Sequence, residues 1–255
     1  MKPYINQVMA FINQWINDST DRWGISPTTA RWLFWGPLIV TPLVLVTRVY
    51  EDIYRFLLTE DGPVEWSGFA CFLGASILSV LIARQRFQAD HLWQMLLFGG
   101  VAVAMFFAAG EEISWGQRIF NWETPENIED INEQGETSVH NLNGVLDVTN
   151  VVMFTIGLYG SGAYLVNKRL QVERYWDQAD YLFITPFFLM SFFLVIFVYK
   201  LLRFTVLNQS NATLTRAGEW SEFVVALGIF IYVLLIYRHL TTQQARTGVL
   251  QADQA

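Results

Sequence analysis

The sequence predicts an all-α fold, a polytopic membrane helix bundle of about six transmembrane helices with a parallel repeat relating spans one and two to spans five and six. Three observations predict it. Of 255 residues, 53% are apolar and only 15% charged, against about a quarter charged in ordinary soluble domains. The apolar residues gather into six runs, most of them near the roughly 20 residues a helix needs to cross hydrocarbon. Finally, residues 65–84 align without a gap to residues 219–238, with ten of twenty positions identical, Glu65-Trp66-Ser67 against Glu219-Trp220-Ser221 at one end and Arg84 against Arg238 at the other.

Taken in order, residues 1–30 read as an N-terminal amphipathic helix. Tyr4, Val8, Phe11, Ile12, Trp15 and Ile16 fall at helical spacing opposite Asn6, Gln7, Asn13 and Gln14, which suits either the membrane interface or a face packed on the bundle. The basic end and apolar core of a signal peptide are missing from this stretch. Residues 31–240 form the bundle, with spans expected at Trp32–Thr47, Pro63–Ala83, Leu92–Gly110, Val145–Asn167, Tyr181–Leu202 and Ser221–Tyr237. Pro37 and Pro42 lie inside the first span, where neighbouring helices can satisfy the backbone groups they free. The connection 111–144 holds eight acidic residues and one basic residue, Arg118. Within it, Thr124-Pro125-Glu126 has the form of a helix start. Residues 241–255 read as a mobile polar tail. The single cysteine, Cys71, excludes an intrachain disulfide.

Net charge is −7, unevenly distributed: an arrangement with both ends in the cytoplasm places ten basic residues inside and six outside, as the positive-inside bias requires. Arg48, Arg55, Lys200 and Arg203 are expected to snorkel from helix ends. This orientation fits a bacterial cytoplasmic membrane and puts the acidic loop 111–144 outside. No basic cluster with interleaved aromatics is present to suggest nucleic acid as a partner; the lipid bilayer is the expected one, and the oligomeric state is left open.

Polar groups that enter apolar runs are the candidates for chemistry. Glu111 and Glu112 close the third span, and His140, Asn143, Asp147 and Asn150 recur at spacings of three, four and three, one polar stripe on a helix. Asp147, inside the fourth run, is the strongest single pointer. Glu111, Glu112, His140 and Asp147 are therefore the candidate acid/base residues, supported by Ser114, Gln117, Glu136, Asn143 and Asn150, with Glu65 and Glu219 as boundary candidates. Glu136 and His140, four residues apart, make a divalent cation feasible, although His91 and His239 fall on the other side.

The string Glu111-Glu112-Ile113-Ser114-Trp115-Gly116-Gln117, followed by Gln134-Gly135-Glu136 and His140-Asn141, resembles an uncharacterised bacterial family of multi-pass membrane proteins. A weaker resemblance is to the CAAX-type intramembrane glutamate proteases, whose signature is two glutamates, three residues, then arginine. Glu111 and Glu112 match it, Gly116 stands at the arginine position, and Arg118 comes two residues later. The resemblance to those proteases implies later membrane-embedded histidine and asparagine residues, for which His140 and Asn143 are the candidates.

Three function classes follow. The first is a membrane-embedded hydrolase or transferase with an outward-facing carboxylate/histidine cleft and a lipid-linked substrate. The second is a proton- or cation-coupled transporter. The third is a noncatalytic assembly subunit, in which Gly157, Gly160, Ser161 and Gly162 admit a neighbouring helix.

Overall fold

The computed structural model describes residues 2–59, 62–125, 137–138, 145–171, 183–205 and 212–252. Six helices among them are long and apolar enough to cross a membrane. Leu43, Val80, Val103 and Val151, from four different spans, are each more than half exposed. An apolar surface of this kind on every side suits hydrocarbon as the solvent.

Helix α1 (Lys2–Asp18) divides along its length. Ile16 is fully buried and Trp15 meets the edge of Phe187 at 5.3 Å, whereas Tyr4, Val8 and Phe11 stay exposed. Its second half packs on the bundle and its first half presents apolar side chains outward. Gly24, in the left-handed region at φ 60°, turns the chain, and the Ser26 hydroxyl accepts from the Thr29 amide at 3.1 Å to cap α2 (Pro27–Val46). Pro27 opens that helix, which runs unbroken through Pro37 and Pro42. The first span thus begins five residues earlier than expected. The connection after it holds an amphipathic helix, α3 (Glu51–Leu58), which buries Tyr54 and Leu58.

Helices α4 (Pro63–Gln88) and α5 (Leu92–Glu112) form an antiparallel pair, pinned where the Ser76 hydroxyl donates to the Ala102 carbonyl at 2.8 Å. A short α6 (Gln117–Phe120) follows. Helix α7 (Val145–Leu170) pairs with α8 (Met190–Thr205) through Gly157 and Gly160. A Cβ at Gly157 would lie 2.8 Å from the Phe197 amide nitrogen, and one at Gly160 would penetrate the Phe193 side chain. Of the small residues expected to admit a neighbouring helix, Gly157 and Gly160 therefore admit α8 of the same chain, while Gly162 faces open space. The fifth span starts at Phe187 instead of Tyr181, because Thr185 precedes Pro186 and a residue before proline is pushed out of the helical region.

Helix α9 (Ala212–Ala252) continues through the stretch expected as a polar tail. Thr241 and Thr242 donate to the carbonyls four residues back, and Gln85 donates to the Thr241 hydroxyl at 3.1 Å. Gly74 seats Phe230, so that a Cβ there would fall 2.7 Å from the ring. Both contacts join residues 156 apart, so α4 and α9 run in the same direction in constant register. Helices α2 and α8 also run in the same direction: the Ser191 hydroxyl at the start of α8 donates to the Leu33 carbonyl, and further along α2 the Thr41 hydroxyl accepts from the Trp220 indole near the start of α9, the helix that follows the end of α8. The direction required by the repeat is present in both pairs.

Replacement of Gly160 by leucine should separate α7 from α8 and destabilise the protein by about 1–3 kcal/mol or more. At Gly162 a new side chain meets open space, so Gly162→Leu should not. Thermal midpoints of the two variants in detergent measure the contrast.

Candidate functional site

Helix α5 delivers Glu111 and Glu112 to the end of the α4–α9 pair that holds Glu65 and Glu219. Consecutive helical side chains diverge by about 100°, and the two carboxylates go to different surroundings. Glu111 is 7% exposed and accepts from the Trp115 indole at 2.5 Å. The indole lies flat on Gly110, where a Cβ would come within 2.9 Å of it, and Phe107 meets it at 5.1 Å. This fold-back requires the sharp turn at Ser114, Trp115 and Gly116, three consecutive residues in the left-handed region at φ 46°, 56° and 78°. Left-handed backbone costs of order 1–3 kcal/mol at each non-glycine residue, offset here by the ring packing and the bond to Glu111.

Gln117 secures the next segment. Its amide nitrogen donates to the Thr124 hydroxyl at 2.7 Å and its carbonyl accepts from the Thr137 amide at 2.8 Å. Ser114 and Ser138 are buried. Ser114, Trp115 and Gln117 thus shape the exit from α5, and Glu111 serves as their anchor.

Glu112 faces the other way. Its carboxylate lies against Gly68 of α4, 3.0 Å from where a Cβ would stand, and within electrostatic range of Glu222, Glu219 and Glu65. It makes no hydrogen bond or ion pair among the described residues. Repulsion between like charges is relieved when such a site takes up a proton or a cation.

A lysine completes the cluster. Lys200 is 4% exposed, 2.9 Å from a Glu222 oxygen and 2.7 Å from the Asn150 side-chain oxygen. This corrects the expectation that it snorkels. Its neighbour Tyr199 crosses above Gly218, where a Cβ would be 2.8 Å from the hydroxyl. An ammonium withdrawn from water costs several kcal/mol unless paired and hydrogen-bonded, and Lys200 has both kinds of partner.

Of the residues singled out by sequence, Glu112, Glu65 and Glu219 converge, and Asn150 joins them through Lys200 and Glu222. Asp147 is exposed in the first turn of α7, one turn from Asn150. His140, Glu136 and Asn143 lie outside the described residues, as does the short helix expected to run on from Thr124-Pro125 through Glu126. Among the described residues no group of three or more histidine, cysteine or acidic side chains is placed to hold a metal ion. Lys200, Glu222 and Gly68 were missed. A signal was present in the three-residue spacings Glu219/Glu222 and Lys200/Arg203, each of which puts two charges on one helix face.

No family model, curated protein or solved structure matches this chain. The fold and the composition define an integral membrane protein with six spans and an ionisable cluster at one membrane boundary.

Lys200→Met should leave the Glu222 carboxylate without its buried cation and destabilise the protein by about 3–5 kcal/mol. The double change Lys200→Met/Glu222→Gln should recover part of that loss, read as a positive coupling in a thermal double-mutant cycle.

Proposed function

We propose that this protein is a membrane-embedded hydrolase or transferase acting on a lipid-linked or membrane-delivered substrate, with Glu112 as general acid/base. In this reading Lys200 positions Asn150 and Glu222, while Glu65 and Glu219 sustain the field around Glu112. Asp147 is left out of the acid/base unit. The site faces outward from a bacterial cytoplasmic membrane, with both chain ends in the cytoplasm.

The observation that carries this reading is the floor beneath the carboxylates. Phe72 lies four residues beyond Gly68, Ala109 three before Glu112, and Ala226 four beyond Glu222; all three are at most 2% exposed and pack together. Each of the three helices places a buried apolar residue one turn inward of the site. A carboxylate cluster closed on the membrane side and approached from one boundary suits chemistry on a substrate better than passage through the bilayer.

The Glu-Glu motif itself supports the bacterial multi-pass family more than the intramembrane proteases. Gly116, which stands at the arginine position of the protease signature, adopts φ 78°, a conformation unfavourable to arginine.

A second reading, a proton- or cation-coupled transporter, is favoured by the inner half of the same helix pair. Among the described residues, the fully buried Gln94 has neither amide atom hydrogen-bonded, and the buried Ser79 hydroxyl is also without a partner. Polar groups of this kind call for water.

Incubation of the purified protein with a bacterial membrane lipid extract, followed by mass spectrometry, tests the enzyme. Glu112→Gln should lower the conversion of the affected lipid by about 10²–10⁴-fold, the usual contribution of a general acid or base, without lowering the thermal midpoint. Asp147→Asn should not. Full conversion by Glu112→Gln refutes the assignment, and proton uptake into proteoliposomes that depends on Glu112, with no lipid converted, transfers it to the transporter.

For orientation, a cysteine at Asp52 should react with an impermeant thiol reagent on intact cells and one at Arg169 should not. Labelling at Arg169 alone would invert the arrangement.

A further inference from the structure

At the membrane boundary opposite the carboxylate cluster, a cavity of about 560 Å³ opens between the end of α1 and the end of α7. Its charged walls are Asp18, Asp21, Arg22 and Lys168, and Trp23 and Tyr164 flank them. Beside it runs a second cavity of about 430 Å³ along the lipid-facing side of α7, bounded by Thr155, Leu158, Tyr159, Gly162, Ala163 and Val166. Asn167 and Ile184 belong to both, so the polar chamber and the apolar groove are continuous.

We propose that this continuous site binds one phospholipid with a phosphoethanolamine headgroup, the headgroup in the polar chamber and one acyl chain in the groove.

Depth and length support the chain. The groove residues recur at spacings of three and four along one helix face, and the eleven steps from Thr155 to Val166 rise about 17 Å. One leaflet of hydrocarbon is about 15 Å thick, half the core. The groove therefore runs from near mid-membrane to the boundary where the polar chamber begins. Gly162 forms its floor, and a Cβ there would meet nothing within 4 Å, in contrast to Gly157 and Gly160, which are filled by α8. The far wall is held in place by the Tyr159 hydroxyl, which donates to the Phe183 carbonyl, and by the stacking of Phe183 on Trp93 at 5.5 Å.

Charge supports the headgroup. Among the described residues the chamber carries two acids and two bases, which matches a zwitterion better than an anionic lipid. Asp18 and Lys168 already meet across it at 3.2 Å, each more than a third exposed, a pair that contributes little by itself. A primary ammonium can donate to Asp18 and Asp21 while Lys168, released from Asp18, and Arg22 face the phosphate, giving charge-assisted bonds to both ends of the headgroup. A quaternary ammonium has no N–H to give. Trp23 and Tyr164 stand where aromatic residues border the hydrocarbon.

The test is retention of lipid by the full-length protein through detergent exchange, read by native mass spectrometry after supplying phosphatidylethanolamine, phosphatidylcholine or phosphatidylglycerol of the same chains. Wild type should retain one phosphatidylethanolamine at least tenfold over the other two. Gly162→Leu, which fills the groove without touching the fold, should reduce retention about tenfold at an unchanged lipid-free thermal midpoint, and Val166→Trp should do the same from the exposed rim. Arg22→Gln/Lys168→Gln should abolish the preference for phosphatidylethanolamine. Glycerophosphoethanolamine, a headgroup without chains, should neither bind nor compete. Equal retention by wild type and both groove variants overturns the proposal, as does phosphatidylglycerol held as tightly as phosphatidylethanolamine. Efficient crosslinking between cysteines at Gly162 of two copies in nanodiscs would also overturn it, by assigning the groove to a second chain.

Discussion

The close approach of α9 to its neighbours is the constraint on which the remaining architecture depends. Along one helix, Gly218 lies beneath Tyr199 and Gly228 beneath Phe192, while Phe230 enters the space left by Gly74 of α4. In a bilayer, apolar side chains gain nothing from leaving lipid for other apolar side chains, and helices associate through close packing and polar contacts. Glycine permits that approach. It also fixes register, because an aromatic ring seated over a glycine cannot slide by one residue without meeting a Cβ.

That register delivers the chemistry. With α4 and α9 parallel at an offset of 156 residues, Glu65 in the first turn of α4 stands level with Ser221 of α9, between Glu219 and Glu222, and all three carboxylates lie within electrostatic range of Glu112 in the last turn of α5. The same packing buries Lys200 among Asn150 and Glu222, where water cannot compensate its charge. The cluster is thereby tied to three interfaces at once, α4–α5, α8–α9 and α7–α8, and a shift in any of them alters the field at Glu112.

Aligned on their matching residues, the two helix pairs differ at the site. In the alignment of residues 65–84 with 219–238, Gly68 stands opposite Glu222. One half carries a carboxylate at this position, and the other carries no side chain, leaving the space that the Glu112 carboxylate occupies. In the adjoining match of Val49-Tyr50 with Val198-Tyr199, Glu51 stands opposite Lys200. Glu51 pairs with Arg55 at the exposed surface, whereas Lys200 is buried against Glu222. Equivalent positions thus serve a surface in one half and the interior in the other.

Sequence by itself determined the spanning helices, because their length and apolarity respond to bilayer thickness, a constraint local to each segment. It also determined that α4 and α9 run alike, since a repeated Glu-Trp-Ser start and arginine end mark both boundaries. The candidate site was legible only in its end points: Glu112, Glu65, Glu219 and Asn150 stood out, while Lys200 and Glu222 read as features of a helix end and an apolar run. Glu111 and Glu112 were indistinguishable as letters and took separate roles once the turn at Ser114–Gly116 returned Trp115 to one of them. Residue type and spacing report what a side chain can do on its own helix. Which charge is buried, and against what, depends on the rotation of each helix about its axis, and only tertiary packing decided that.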